Sequence, residues 1–157
     1  MNTLITPVQV VRLAFAPDDC LPPEAVAPAD IAAAEARYVV PVLGQALHQR
    51  LLQAQDRTFV DDYLAAPVAL FTRALIQPRL DIRSGRTGTT APKSDHAAPA
   101  GDAARRALRS TLLTEARALL RRAVERIEAD PAAFPEYAAG ANILKRCSLD
   151  GKLVQIR

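Results

Sequence analysis

The sequence is poor in the residues that carry metal and redox chemistry. Among 157 residues there is no Trp, one Met and two Cys, and aromatic residues make up 4%. Cys20 and Cys147 lie far apart and match no metal-ligand spacing, so two reduced thiols are expected. With only His48 and His96 beside them, neither a zinc site nor another cofactor is expected. No apolar run approaches the ~20 residues of a membrane span. The N-terminal stretch also lacks the basic start and long apolar run of a signal peptide.

Catalytic patterns are missing as well. Acid–base catalysis needs paired titratable groups in a cleft of low dielectric, whereas the acids here lie in turns or beside basic residues. The segment SGRTGT (84–89) lacks the lysine and the following Ser/Thr of a phosphate-binding loop. His48, next to Leu47 on an amphipathic stretch, is interpreted as a partly exposed structural histidine rather than a ligand or a base. We therefore do not expect an enzyme.

Charge is distributed unevenly along the chain. The formal net charge is +3, but residues 1–82 carry six Arg against nine acids, while residues 83–157 carry fourteen Lys/Arg against eight acids. Seventeen of the twenty cations are Arg, which favours bidentate contacts with carboxylates or phosphates. A merely solvated basic face remains an equally open interpretation.

One long helix is predicted over residues 102–129, which contain no Gly or Pro and open with Asp102 as N-cap. Its leucines form one apolar sector along the last five turns. Arg105 and Arg109 point to the same side in the first two turns. The N-terminal end of this helix is therefore expected to project basic groups towards solvent or a partner. Arg121 and Glu125, spaced i,i+4, should partly neutralise each other.

Three helical stretches precede it. The first begins with Thr6-Pro7 and runs to about Phe15, with Val8, Val11 and Phe15 on one face. The second begins at Pro28 and should be kinked or interrupted at Pro41, continuing to Leu52. The third, from Thr58 to Leu80, is apolar around most of its circumference, so it should be central, with a kink at Pro67 and an end near Pro78.

The remaining segments are predicted to be irregular or extended. Residues 81–101 hold three of the six Gly, and their 83–101 part is expected to be a flexible loop. Phe134 and Tyr137 should cap the helices. Asp150-Gly151 is a type I′ turn signal between two short runs, so residues 143–157 should form a hairpin or an extended tail. The predicted fold is a single all-α domain over 1–157, a small bundle around the long late helix.

Three stretches together resemble the head–tail connector (adaptor, or head-completion) proteins of tailed phages and prophages. They are ADIAAAEARYVVPVLG (29–44), PRLDIRSGRTGTTAPKS (78–94) with the basic helix after it, and FPEYAAGANILKRCSLDGKLVQI (134–156). The resemblance implies a structural protein of the virion, made in the bacterial cytoplasm. It implies a homo-oligomeric ring, commonly of twelve copies, between the portal protein and a stopper or tail protein, lining the DNA channel.

No motif of that family fixes functional residues one by one, so the candidate contacts follow from where the charged and apolar groups lie. They are expected in the loop, at the basic end of the long helix and in the tail: Arg83, Arg86, Lys93, Arg105, Arg106, Arg109, Leu149, Leu153, Val154 and Ile156. The tail is expected to join subunits, so that truncation after Gly140 leaves a folded monomer, although a tail folded on its own domain stays open. The alternative is that the chain is a small Arg-rich helical protein with a nucleic-acid-binding or regulatory function.

Overall fold

A computed structural model describes residues 2–53, 56–85, 88–90 and 99–145, with side chains described outside 83–90. Within these residues the fold is all-α apart from one short hairpin. The α-helices are α1 (Pro7–Ala14), α2 (Pro28–Ala34), α3 (Val40–Leu43), α4 (Gln45–Leu52), α5 (Arg57–Phe59), α6 (Ala65–Asp81) and α7 (Asp102–Ala129). π-Helical turns occupy Glu35–Val39 and Val60–Leu64, and 3₁₀ turns Pro17–Asp19, Pro23–Ala25 and Ala139–Ala141.

Helix α6 is the element against which α1, α2 and α7 pack. Nine of its seventeen residues are buried, and its first half is apolar on every side. Arg73, Gln77 and Asp81 form a hydrogen-bonded polar row along its second half. Because three helices pack on it, the central position predicted for this stretch is confirmed. The long helix α7 therefore packs against the centre of the fold rather than forming it.

Helix α1 begins where its sequence predicts. The Thr6 hydroxyl accepts the Gln9 N–H at 3.3 Å, and the Gln9 side chain accepts the Thr6 N–H at 2.9 Å. This reciprocal capping box satisfies two backbone donors. On the face that carries Val8, Val11 and Phe15, the last two pack against the core while Val8 is 60% exposed; the fully buried residues are Val10 and Ala14.

The break in the second helical stretch falls at Gly44 and not at Pro41. A proline ring in a helix collides with the carbonyl four residues back. The wider turn of Glu35–Val39, which precedes Pro41, relieves that collision, and Val60–Leu64 stands in the same relation to Pro67. The chain therefore stays helical until Gly44, whose φ of 87° and ψ of 154° suit only glycine. Pro78 likewise lies inside α6, which ends at Asp81.

Helix α7 has the predicted bounds, with Gly101 rather than Asp102 as its N-cap residue. Its buried residues all lie in the last five turns: Leu112, Leu113, Ala116, Leu120, Ala123, Val124 and Ile127. The first turns carry none, as expected for a segment that extends beyond the core.

The segment expected to be a loop contains a hairpin. Strands β1 (Arg83–Gly85) and β2 (Gly88–Thr90) pair antiparallel, with Arg83 opposite Thr90 and Gly85 opposite Gly88. The glycines and threonines, which had indicated irregular structure, instead lie in the two strands of a short hairpin. The rest of the expected flexible loop up to residue 98 lies outside the described residues.

The start of the expected tail packs on its own domain. Asn142 is 1% exposed, and the Ile143 N–H donates to the Pro41 carbonyl at 3.3 Å. Phe134 caps the core as predicted, with its ring 4.7 Å from that of Phe59. Truncation after Gly140 would therefore remove a buried residue, contrary to the expectation that it spares the fold. The hairpin expected around Asp150-Gly151 lies outside the described residues.

Candidate functional site

The last turns of α6 and the first turns of α7 enclose a cleft of about 260 Å³, which we call the arginine cleft. They come together because α7 packs against α6. The lining comprises three arginines of α7, four residues of α6 and the residue that follows α6: Arg105, Arg106, Arg109, Ala74, Gln77, Pro78, Asp81 and Ile82.

The arginines of the cleft differ in how far their charge is neutralised. Arg105 is half-buried, with Nε 3.6 Å from the Asp81 carboxylate and a guanidinium nitrogen 3.8 Å from that of Asp102. Arg106 and Arg109 are exposed, and within the described part of the chain neither has a carboxylate within 4.0 Å. The cleft therefore presents two arginines available to an anionic group from outside.

The floor of the arginine cleft is apolar. Ala74 is buried, and Pro78 and Ile82 add hydrocarbon surface beside it. A cavity with an apolar floor and a cationic rim suits a ligand that combines an apolar group with carboxylates or phosphates. Asp81 is the one carboxylate in the lining and is engaged by Arg105, so the site offers binding chemistry rather than a nucleophile or a poised acid and base.

Further arginines follow along the exposed side of α7. Arg117, Arg121, Arg122 and Arg126 are all exposed, and none has a carboxylate within 4.0 Å among residues whose side chains are described. The expected i,i+4 pair of Arg121 with Glu125 is not formed, because two long exposed side chains gain little from such a contact in water. The positive charge of these arginines is therefore less neutralised by neighbouring carboxylates than the sequence indicates.

A second polar site, inside the core, was missed by sequence reasoning. Glu35, 2% exposed, accepts the backbone N–H of Leu4 at 2.8 Å through Oε1. Its Oε2 lies 2.9 Å from Nε2 of His48, which is 8% exposed and not partly exposed as expected. The other ring nitrogen of His48 has no hydrogen-bond partner in the described residues. The sequence did indicate that Glu35 is buried, since it follows Ile31 by four residues on the apolar face of its helix.

The segment after α7 is held by a small polar network. Lys145 donates to Glu128 at 2.6 Å, Tyr137 donates to the same carboxylate at 3.1 Å, and Asn142 donates to the Tyr137 hydroxyl at 2.8 Å. The hydrogen bond from Lys145 holds the pKa of Glu128 below its ordinary value. Desolvation opposes this lowering, and the hydrogen bond from Tyr137 adds to it. Burial raises the pKa of Tyr137. The network therefore holds the start of the expected tail against the end of α7.

The remaining candidate contacts are not gathered by the structure. Arg83 lies in β1, but its side chain is outside the described part of the structure. Six further candidates are outside it as whole residues: Arg86, Lys93, Leu149, Leu153, Val154 and Ile156. Of the candidate contacts, the structure brings together Arg105, Arg106 and Arg109. The α6 residues that complete the arginine cleft could not be predicted from sequence, because only the packing of α6 on α7 brings them beside these arginines.

In the described ranges no three His, Cys, Asp or Glu side chains are grouped as a metal site. Nor does any helix in those ranges have the length and apolarity needed to cross a membrane.

Comparison with known proteins places the chain in a family. A family model described as "Family of unknown function (DUF6712)" matches residues 38–146, which include the whole arginine cleft. No curated protein and no solved structure matches the chain. Because the match covers well over half of the sequence, the chain belongs to the DUF6712 family.

Proposed function

We propose that the protein is a structural component of the head–tail connector of a tailed phage or prophage. In this role copies form a ring, of about twelve subunits in the family it resembles, between the portal protein and a stopper or tail-completion protein. The ring extends the DNA channel, in a virion assembled in the bacterial cytoplasm. The role is one of assembly without catalysis or a cofactor.

The observation that carries the proposal is the arginine cleft at the free end of a long helix. Two of its arginines lack carboxylate partners among the described residues, and its floor is apolar. Such a surface is suited to contact with another protein, because the core of a protein interface is enriched in arginine and apolar groups. The order of elements, with short early helices, a long late helix and a terminal segment, is also the order that the resemblance implies.

The proposal includes two features of the fold that support assembly. The helices form a small bundle in which the first turns of α7 carry the arginine cleft, and residues 146–157 form a hairpin or extended strand that joins a neighbouring copy or another virion protein. Unpaired strand edges add readily to other chains. Arg83, Arg86 and Lys93 contribute further contacts from the hairpin side, including non-specific contacts with DNA in the channel.

Deletion of the gene tests the proposed function. Cells that make the particles should then accumulate filled heads and separate tails, seen by electron microscopy, with joining restored by the gene supplied in trans. Normal tailed particles in the deletion strain would contradict the proposal.

A second candidate function is nucleic-acid binding, which the exposed arginines of α7 favour. A protein that binds DNA mainly through phosphate contacts loses affinity steeply with salt. Binding to a DNA duplex that weakens steeply between about 50 and 200 mM salt, by a protein that stays monomeric, would favour this candidate over the ring.

A further inference from the structure

The exposed acids of the N-terminal half concentrate in one short segment, residues 17–24, which we call the acidic segment. Its sequence is PDDCLPPE, and no Lys or Arg occurs from residue 13 to residue 36. Asp18 and Glu24 are exposed, and neither has a cation within 4.0 Å in the described part of the chain. Asp19 is already engaged, 3.6 Å from Arg73 and capping the Ala16 N–H at 3.0 Å.

The acidic segment also has the apolar surface that the floor of the cleft requires. Pro22 is exposed and Pro23 half-buried, between the carboxylates of Asp18 and Glu24. Both prolines, and the 3₁₀ turns on either side, restrict the backbone. A pre-organised segment loses little conformational entropy when it binds.

The acidic segment adjoins a groove that neighbours the arginine cleft. Phe15, Leu21, Arg73 and Leu80 line this groove, Ala74 and Pro78 line the cleft, and Gln77 and Asp81 line both. At 100° per residue, positions 73 and 80 point about 100–160° away from 74 and 78, with 77 and 81 between them. One molecule therefore presents an acidic segment and a basic cleft on adjoining surfaces.

We propose that the arginine cleft binds the acidic segment of a second copy of this chain. Arg106 and Arg109 pair with Asp18 and Glu24, and the proline rings cover the apolar floor. In the proposed ring each copy binds the acidic segment of the next, so the contact is heterologous and repeats from copy to copy; two copies that bind each other reciprocally would instead close as a dimer. The inference rests on the proposed function in that it supposes that copies associate, and it names the surfaces that join.

A DNA strand fits the cleft less well than this segment does. Phosphates would meet the two arginines but leave the apolar floor uncovered. A protein segment with carboxylates around an apolar centre satisfies both parts of the site.

A charge-exchange experiment tests the contact. One variant carries Arg106→Glu with Arg109→Glu, and the other Asp18→Arg with Glu24→Arg. Asp19 is left in place because it caps a backbone N–H. Sedimentation velocity at low salt should show that the wild type self-associates and that each variant alone associates at least about tenfold more weakly.

An equimolar mixture of the two variants should restore association, since each then supplies the charge that the other lacks. The matched control, Arg121→Glu with Arg122→Glu, makes the same charge change on α7 outside the cleft and should associate like the wild type. If a reversal variant loses its cooperative thermal transition, the neutral pairs Arg106→Gln with Arg109→Gln and Asp18→Asn with Glu24→Gln take its place, with a smaller loss expected.

Three results would overturn the inference: a wild type that is monomeric throughout, association indifferent to both reversals, or a mixture that stays dissociated. Association indifferent to the reversals would leave the proposed ring standing on another surface. Failure of the proposed function itself appears separately, as normal particles in the gene deletion.

Discussion

The carboxylate of Glu35 joins the N-terminal segment to α4. It accepts the Leu4 N–H with one oxygen and contacts His48 with the other, and both side chains are buried. A buried polar group that is fully paired orders the core, but the same group is costly when a partner is removed. Stability therefore depends on this residue more than on any single surface charge.

Glu35→Ala should lower the free energy of unfolding by about 3 kcal/mol, since it leaves His48 and the Leu4 N–H buried without a partner. The matched control is Glu115→Ala on the exposed side of α7, expected within about 0.5 kcal/mol of the wild type. Urea unfolding followed by circular dichroism measures both. Equal effects of the two substitutions would mean that the buried contact contributes nothing.

The pairing of Glu128 with Lys145 should make stability depend on pH. Because the folded-state pKa of Glu128 lies below its ordinary value of 4.5, its contribution is present above that value and is lost as pH falls through the lowered pKa. Lys145→Met should therefore be less stable than the wild type at pH 7, with the difference shrinking below about pH 4.5. Thermal unfolding across pH 3 to 7 gives the comparison, and a difference that grows on acidification would contradict this assignment.

Among the secondary-structure elements, the π turns and Gly44 decide where the chain bends. The π turns before Pro41 and Pro67 let helices continue past residues that usually break them. Gly44 then reverses direction between α3 and α4 with a backbone conformation open to glycine alone.

Gly44→Ala should cost about 1–3 kcal/mol in unfolding free energy because of backbone strain. Crowding is not the cause, since nothing lies within 4 Å of an added Cβ. Gly140 has the same free space without a positive φ, so Gly140→Ala should change stability by less than about 0.5 kcal/mol. Chemical denaturation compares them, and equal losses would show that the conformation of Gly44 carries no strain.

The sequence predicted the elements better than their junctions. Capping at Thr6, the apolar circumference of α6 and the unbroken pattern of α7 are local signals, and they placed those helices correctly. The break at Gly44 was missed because a π turn, which no local pattern announces, removes the conflict at Pro41. The contact of Glu35 with His48 and the α6 wall of the arginine cleft depend on which helices pack together, and that is set by the whole fold.

At the scale of the whole molecule, the parts of the chain that form the core differ from those proposed to take part in assembly. The core holds α1 to α7 and the segment through Lys145, whereas the arginine cleft and the acidic segment face outward. Residues 147–157 belong to the assembling part in the proposed function.

Two truncations separate these roles. A chain ending at residue 146 should melt like the full protein but associate less. A chain ending at Gly140 should lose about 2 kcal/mol, because the buried Asn142 and its hydrogen bonds are removed. Calorimetry with sedimentation velocity measures both quantities. Normal association of the 146-residue chain would assign assembly to the cleft alone.

The central claim is that this chain is a connector subunit, and cryo-electron microscopy of tailed particles from cells that carry the gene tests it most directly. The account predicts density for this fold in a closed ring at the head–tail junction, with the arginine cleft of each copy against the acidic segment of the next. Purified, infectious particles that contain no copy of the chain would contradict it.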